Sequence, residues 1–181
     1  RQTICTSRSF GNLVTDYDEL QASVASFAAS CANKLRGQHS LTSAVTVFVS
    51  SNRFREDLPQ YSNGQTRILP MPTSDTIEIT QAALSVLKEI YREGISYKKT
   101  GVVLGNITDA SYIQQNLFDE VKNRPERMQL MKSIDALNYR FGLRKIHLAV
   151  EGEEKQAWHA KSEFRSGNYL SDLKEILTIR I

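Results

Sequence analysis

The chain has 181 residues, 40% of them hydrophobic, and a formal net charge of +3. This length and composition suit one domain, or a small domain with an appendage, and exclude wholesale disorder. So small a positive excess does not by itself mark a nucleic-acid binder, and two cysteines, Cys5 and Cys31, do not make a disulfide framework.

A reducing, cytoplasmic setting is the default for such a chain. His39, His147 and His159 stand apart, with no Cys or His at metal-ligand spacing, so no zinc site is expected. No apolar run approaches the ~20 residues of a membrane span. The first residues, Arg-Gln-Thr-Ile, lack an initiator Met and a signal-like stretch, so the chain reads as a piece of a longer protein.

Residues 1–11 are rich in Thr, Ile and Phe and read as a strand. Asp16 and Glu19 form a capping-box pattern. Leu20, Val24, Phe27, Ala28, Cys31 and Leu35 then recur at helical spacing as far as Gly37. Val45, Val47 and Val49 alternate in a second strand over 41–50. A polar loop, 52–64, leads to a third strand around Thr66 to Leu69, which Pro70 and Pro72 are expected to close. Asp75 and Glu78 cap a second helix with a stripe of Ile79, Ala82, Val86, Leu87, Ile90 and Tyr91, stopped at Gly94. A fourth strand runs from about Ser96 to Leu104.

Two strand-helix-strand units bury their helical stripes most economically on one face of a four-stranded sheet, leaving the other face open. The expected class is therefore α+β. Residues 107–124 are polar and read as a linker around the apolar knot at 116–118. Pro125 sits at a helix start, and Met128, Met131, Ile134, Leu137 and Phe141 space out along a third helix ending at Gly142. Ile146, Leu148 and Val150 alternate as a short strand, so residues 125–181 read as a small α/β extension, with Trp158 in its core.

The windows 1–11, 40–55, 65–71 and 95–106, which hold the four strands, contain Arg1, Arg8, Arg53, Arg55, Arg67, Lys98 and Lys99 and no acidic residue. An open sheet with cations beside Ser and Thr suits a phosphate backbone, since alternate strand residues repeat on one face every ~6.7 Å. The same cations also read as ordinary decoration of a solvent-facing sheet. No aromatic stacking platform stands out on these strands.

Several segments resemble the C-terminal part of Y-family translesion DNA polymerases, closest to the UmuC-like branch. Thr3-Ile4-Cys5-Thr6-Ser7-Arg8-Ser9-Phe10-Gly11 resembles the opening strand of that family's little finger domain, and Leu58-Pro59-Gln60-Tyr61-Ser62-Asn63 the loop before its third strand. Tyr97-Lys98-Lys99-Thr100-Gly101-Val102 is similar to the closing strand. Gln114-Gln115-Asn116-Leu117-Phe118-Asp119 resembles a clamp-binding peptide, and residues 125–181 the UmuC-type extension.

The resemblance implies a little finger over 1–106, a linker with its docking peptide over 107–124, and an extension over 125–181. It implies a grip on duplex primer-template DNA through Arg8, Ser9, Arg67, Lys98, Lys99 and Thr100. It also implies docking to a bacterial sliding clamp through Gln114, Leu117 and Phe118, and UmuD'-like and RecA-like partners. The carboxylates of a polymerase palm are absent. Asp16/Asp18, Asp119/Glu120 and Glu153/Glu154 are the close acidic groupings, and none suits a two-metal site with ions ~4 Å apart. The expectation is a chain without polymerase activity and without a cofactor, from a parent that uses Mg2+ in DNA synthesis and the SOS response. The alternatives are a protein-interaction module that uses the open sheet, and a small enzyme built on His147 or His159.

Overall fold

The structure, a computed structural model, describes residues 2–111, 123–142, 144–152, 158 and 166. The elements in chain order are β1 (Ile4–Val14), α1 (Tyr17–Gly37), β2 (Ser40–Ser51), β3 (Ser62–Thr73), α2 (Thr76–Ile90), β4 (Tyr97–Asp109), α3 (Arg124–Phe141) and a 3-10 turn, Ala149–Glu151. The β-α-β-β-α-β order expected from the sequence is the order observed, and the fold is α+β.

All four strands form one antiparallel sheet in the order β1-β4-β2-β3. β4 comes last of the four and lies inside, paired on both sides. β1 and β3 are the edges. That placement explains why β3 does not stop at its prolines. Pro70 and Pro72 lie within β3, whose outer edge needs no N–H donors, and the β2–β3 register shifts between Ala44 and Thr42, opposite this stretch. β4 likewise runs beyond Leu104 to Asp109, so the first residues assigned to a linker are strand.

The starts of α1 and α2 are each set by an aspartate. Asp16 accepts from the Asp18 and Glu19 amides at 2.7 and 3.1 Å, and Asp75 from the Ile77 and Glu78 amides at 2.7 and 3.4 Å. Each satisfies two of the amides that a helix start leaves without a partner. The apolar stripes of α1 and α2 then meet Val45, Val47, Val49, Val102, Leu104 and Ile4 on one face of the sheet. Leu20, Leu35, Ile79, Leu87 and Ile90 are all fully buried there. Truncating any of them to Ala removes apolar area and leaves a cavity, a cost of about 2–5 kcal/mol. One end of this core is aromatic. Tyr97 is fully buried, its hydroxyl accepts from the Arg92 amide at 2.8 Å, and its ring packs against Tyr61 and Tyr91.

The described part of the extension packs on the helices, not on the sheet. The Asp135 carboxylate on α3 accepts from Arg36 of α1 through two bonds, at 2.6 and 2.7 Å, and from the Asn33 amide at 2.9 Å. Burial draws the Asp135 carboxyl upward, but the Arg36 guanidinium and the Asn33 amide outweigh it and hold it below its ordinary value. Arg127 donates to Asp75, the α2 cap, at 2.7 Å, and Arg124 pairs with Glu78 at 3.3 Å.

The extension departs from its expected form in two ways. Of the α3 stripe, only Met131 is buried, whereas Met128, Leu137 and Phe141 are exposed; polar clips rather than an apolar seam hold the helix. Residues 146–150 form no strand. Asn138 brackets Ile146 through two 2.8 Å bonds to its amide and carbonyl, and the chain then closes into the 3-10 turn at Gly152, whose φ is 69°. The ladder groups that a strand would need are already engaged locally. Trp158 is buried, edge-on to Phe27 of α1 at 5.5 Å.

Candidate nucleic-acid interface

Strand alternation and register divide the central sheet into two faces. Ile4, Leu104 and Val45 are aligned across β1, β4 and β2, as are Thr6, Val102 and Val47, and these look toward the helices. The residues between them look outward: Cys5, Ser7 and Ser9 on β1, Lys99, Gly101 and Val103 on β4, Thr46, Phe48 and Ser50 on β2, and Ser62, Gly64 and Thr66 on β3. No described helix packs on this second face, and Ile68 at its β3 edge is 62% exposed. Among these outward residues there is no carboxylate. Asp109 lies at the far end of β4, where its carboxylate accepts from the Ser111 amide and hydroxyl.

The six residues singled out for DNA do not form one row. Ser9 and Lys99 are directly paired across β1 and β4 on the open face. Arg8 and Thr100 are paired with each other one step further and look toward the helices. Thr100 is fully buried and its hydroxyl donates to the Phe48 carbonyl at 2.8 Å, so it ties β4 to β2 and cannot reach a phosphate. Arg67 pairs with Val45, which places it on the helix side of the β3 edge, where it forms an ion pair with Glu89 of α2. The Lys98 ammonium donates to the Phe10 carbonyl and so joins β4 to β1. Arg8 lines a cavity of about 400 Å³ between α1 and the extension. The peptide residues Gln114, Leu117 and Phe118 lie outside the described residues, as does His159.

The sequence reading missed Phe48. It lies at the centre of the open face, half-buried, with the Lys99 ammonium 5.7 Å from its ring centroid. The signal was present: Phe48 has the opposite parity to Val45, Val47 and Val49. The loop after β2 adds order beside this face. The Gln60 side-chain nitrogen lies 2.9–3.2 Å from the carbonyls of Asn52, Arg55 and Leu58, and Arg53 stacks on the exposed Phe54 ring at 5.3 Å.

The cavity between α1 and the extension gathers His147, Asp135 and Glu151. It is poorly suited to acid–base work. Asp135 is held by Arg36 and Asn33, Glu151 accepts from the Leu148 amide at 3.0 Å, and the His147 Nδ1 faces the Arg144 carbonyl at 2.9 Å. Among the described residues no group of three or more His, Cys, Asp or Glu side chains is placed to hold a metal ion. No helix of the described residues is long and apolar enough to cross a membrane.

A β-α-β-β-α-β sheet with one face that no described helix covers, free of acids among its described outward residues, and a helix-clipped extension define a class, and comparison with known families places the chain in it. The C-terminal domain of the impB/mucB/samB family matches residues 1–117, and the chain belongs to that family. A family described only as a domain of unknown function, DUF4113, matches residues 128–179. Among relatives, the chain is 37% identical to the protein UmuC of Salmonella typhimurium over 99% of its own length and 42% of UmuC. It is 37% identical to ImpB of the same organism, over its full length and 42% of ImpB. Against MucB of Escherichia coli it is 32% identical over 97% of its length and 41% of MucB. The chain thus corresponds to the C-terminal part of UmuC-like proteins and spans about two fifths of the relatives it matches.

Proposed function

We propose that this chain grips the backbone of duplex DNA with its open sheet face, as the non-catalytic part of an error-prone translesion polymerase acting in the cytoplasm. The observation that carries this reading is the composition of that face. Lys99 lies between Ser9 and Ser50, and the hydroxyls of Ser7, Thr46, Ser62 and Thr66 share the same face, with no carboxylate among them. Hydroxyls and a cation contact phosphate oxygens without reading bases, which suits a protein that must hold any sequence. Only Lys99 and Ser9 of the six expected contacts share this face. The electrostatic part of the grip is therefore small, and affinity should be modest.

Docking to a sliding clamp through Gln114, Leu117 and Phe118 is the second part of the proposal, supported by the resemblance of that peptide. Synthesis itself, with its Mg2+, belongs in this reading to the part of the relatives that the chain does not span. UmuD'-like and RecA-like proteins are the further partners that the resemblance suggests.

Fluorescence anisotropy of the chain with labelled duplexes of several sequences tests the grip. Binding should be similar for all sequences and should weaken as salt rises. Absence of binding at low salt would defeat the proposal. Binding to another protein through the same face, without DNA, would favour the interaction-module reading instead.

A further inference from the structure

The open face holds an aromatic ring, Phe48, among its hydroxyls, and the strands on both sides of it have glycine where a side chain would collide. A Cβ placed on Gly101 would lie 2.4 Å from Phe48 Cζ, 2.6 Å from Phe48 Cε1 and 2.5 Å from the Ser7 Cβ. A Cβ on Gly64 would lie 3.0 Å from the Phe48 Cβ. The ring therefore leaves β2, crosses β4 at Gly101 and reaches toward Ser7 of β1. Neither glycine is needed for backbone conformation, since neither has a positive φ. What they provide is room for the ring to lie flat.

We infer that Phe48 is a sugar-contacting platform at the centre of the DNA interface. The inference rests on the proposed grip and deepens it by naming the contact that does not depend on charge. A sugar-phosphate strand alternates charged phosphates with largely apolar deoxyribose faces. Hydroxyls and Lys99 answer the phosphates; the flat ring answers the sugar between them. The Lys99 ammonium over the ring is drawn to its electron-rich face, which fixes cation and platform as one unit. The absence of carboxylates among the outward residues makes this surface complementary to a polyanion rather than to a basic partner. A raised ring would hold the backbone away from the hydroxyls, so its low profile matters as much as its area.

The test uses the full chain and a fluorescein-labelled DNA duplex of mixed sequence, titrated over a salt series, with thermal melts alongside. Phe48 lies outside the helix-side core, so Phe48→Ala should fold. It should weaken binding ~fivefold or more at every salt concentration, with the salt slope unchanged. Phe48→Leu, which keeps apolar volume on the same face, should fall between wild type and Phe48→Ala, and it decides the matter if Phe48→Ala melts early. Gly101→Ala keeps the ring but lifts it, and should also weaken binding. Wild-type binding that Phe48→Ala and Phe48→Leu leave unchanged would overturn the platform and leave the grip standing. A wild type that does not bind the duplex at all would overturn the grip itself. If Phe48→Ala instead flattens the salt slope, and adds nothing to Lys99→Gln, the ring only positions Lys99 and the sugar contact is wrong.

Discussion

The two faces of the sheet are built from the same four strands, yet they are physically different surfaces. One step along β2 separates Val47, fully buried beneath α1 and α2, from Thr46, whose hydroxyl meets that of Thr66 at 2.7 Å in the open. The polar residues divide in the same way. Toward the helices, Arg67 is engaged with Glu89 and Thr100 with the Phe48 carbonyl. On the open side, Lys99 lies over an aromatic ring with no carboxylate beside it among the outward residues. A count of cations per strand cannot make this distinction; the parity of each residue does. Arg67 on the covered side is held by an acid of the helix layer, whereas Lys99 on the open side faces away from the helices.

The sharpest way to break this comparison is to place the same charge on each face. Val47→Asp puts an unpaired carboxylate in the core and should destabilise the fold by more than ~3 kcal/mol, read by chemical denaturation. Thr46→Asp should leave the melt nearly unchanged and suppress DNA binding by repelling phosphate. If both variants unfold alike, the open face is not open.

The proposed clamp-docking peptide offers a contrast with the sheet as a whole. Leu117→Ala with Phe118→Ala should weaken clamp binding by at least ~2 kcal/mol in calorimetry, since two apolar anchors dominate such a short contact. DNA binding by the same variant should be unchanged. A lowered melting temperature without any wild-type clamp binding would show the two residues to be core.

The extension can be separated from the helix layer through Asp135. Asp135→Asn leaves Arg36 without its counter-ion and should cost about 2 kcal/mol, between the values for exposed and buried pairs. The pH dependence has a definite sign. The folded-state carboxyl lies below its ordinary value, so its contribution is complete above the ordinary Asp range and is lost as pH falls through the depressed value. Melts of wild type and Asp135→Asn should therefore converge in acid. Parallel curves down to low pH would place the difference elsewhere.

Much of this fold was legible from the residues. Asp16 and Asp75 marked helix starts because a short carboxylate is the natural acceptor for the first free amides, and Val45-Thr46-Val47 marked a strand with one covered face. β3 was read too short because its prolines stop only a strand paired on both sides, and edge position emerges from pairing rather than from local sequence. The strand expected at 146–150 failed for a related reason. Alternation of Ile146, Leu148 and Val150 says which faces differ but not whether a neighbouring strand exists, and Asn138 took the backbone groups instead. The candidate interface was half legible. The acid-free windows were visible, but assigning Arg8, Arg67 and Thr100 to the covered side required the register. Phe48 stood in plain alternation; its link to Gly64 and Gly101 did not, because those glycines are distant in sequence and meet it only across the ladders.

Salt-dependent binding of duplex DNA by Lys99→Gln and Arg67→Gln, measured side by side, puts the division of the two faces to its most direct test. Each variant removes one positive charge, so sequence composition treats them as equal. Lys99→Gln should flatten the slope of log affinity against log salt by about 1, while Arg67→Gln should keep the wild-type slope. Equal slopes for the two variants, or a flatter slope for Arg67→Gln alone, would contradict the assignment of the open face to DNA.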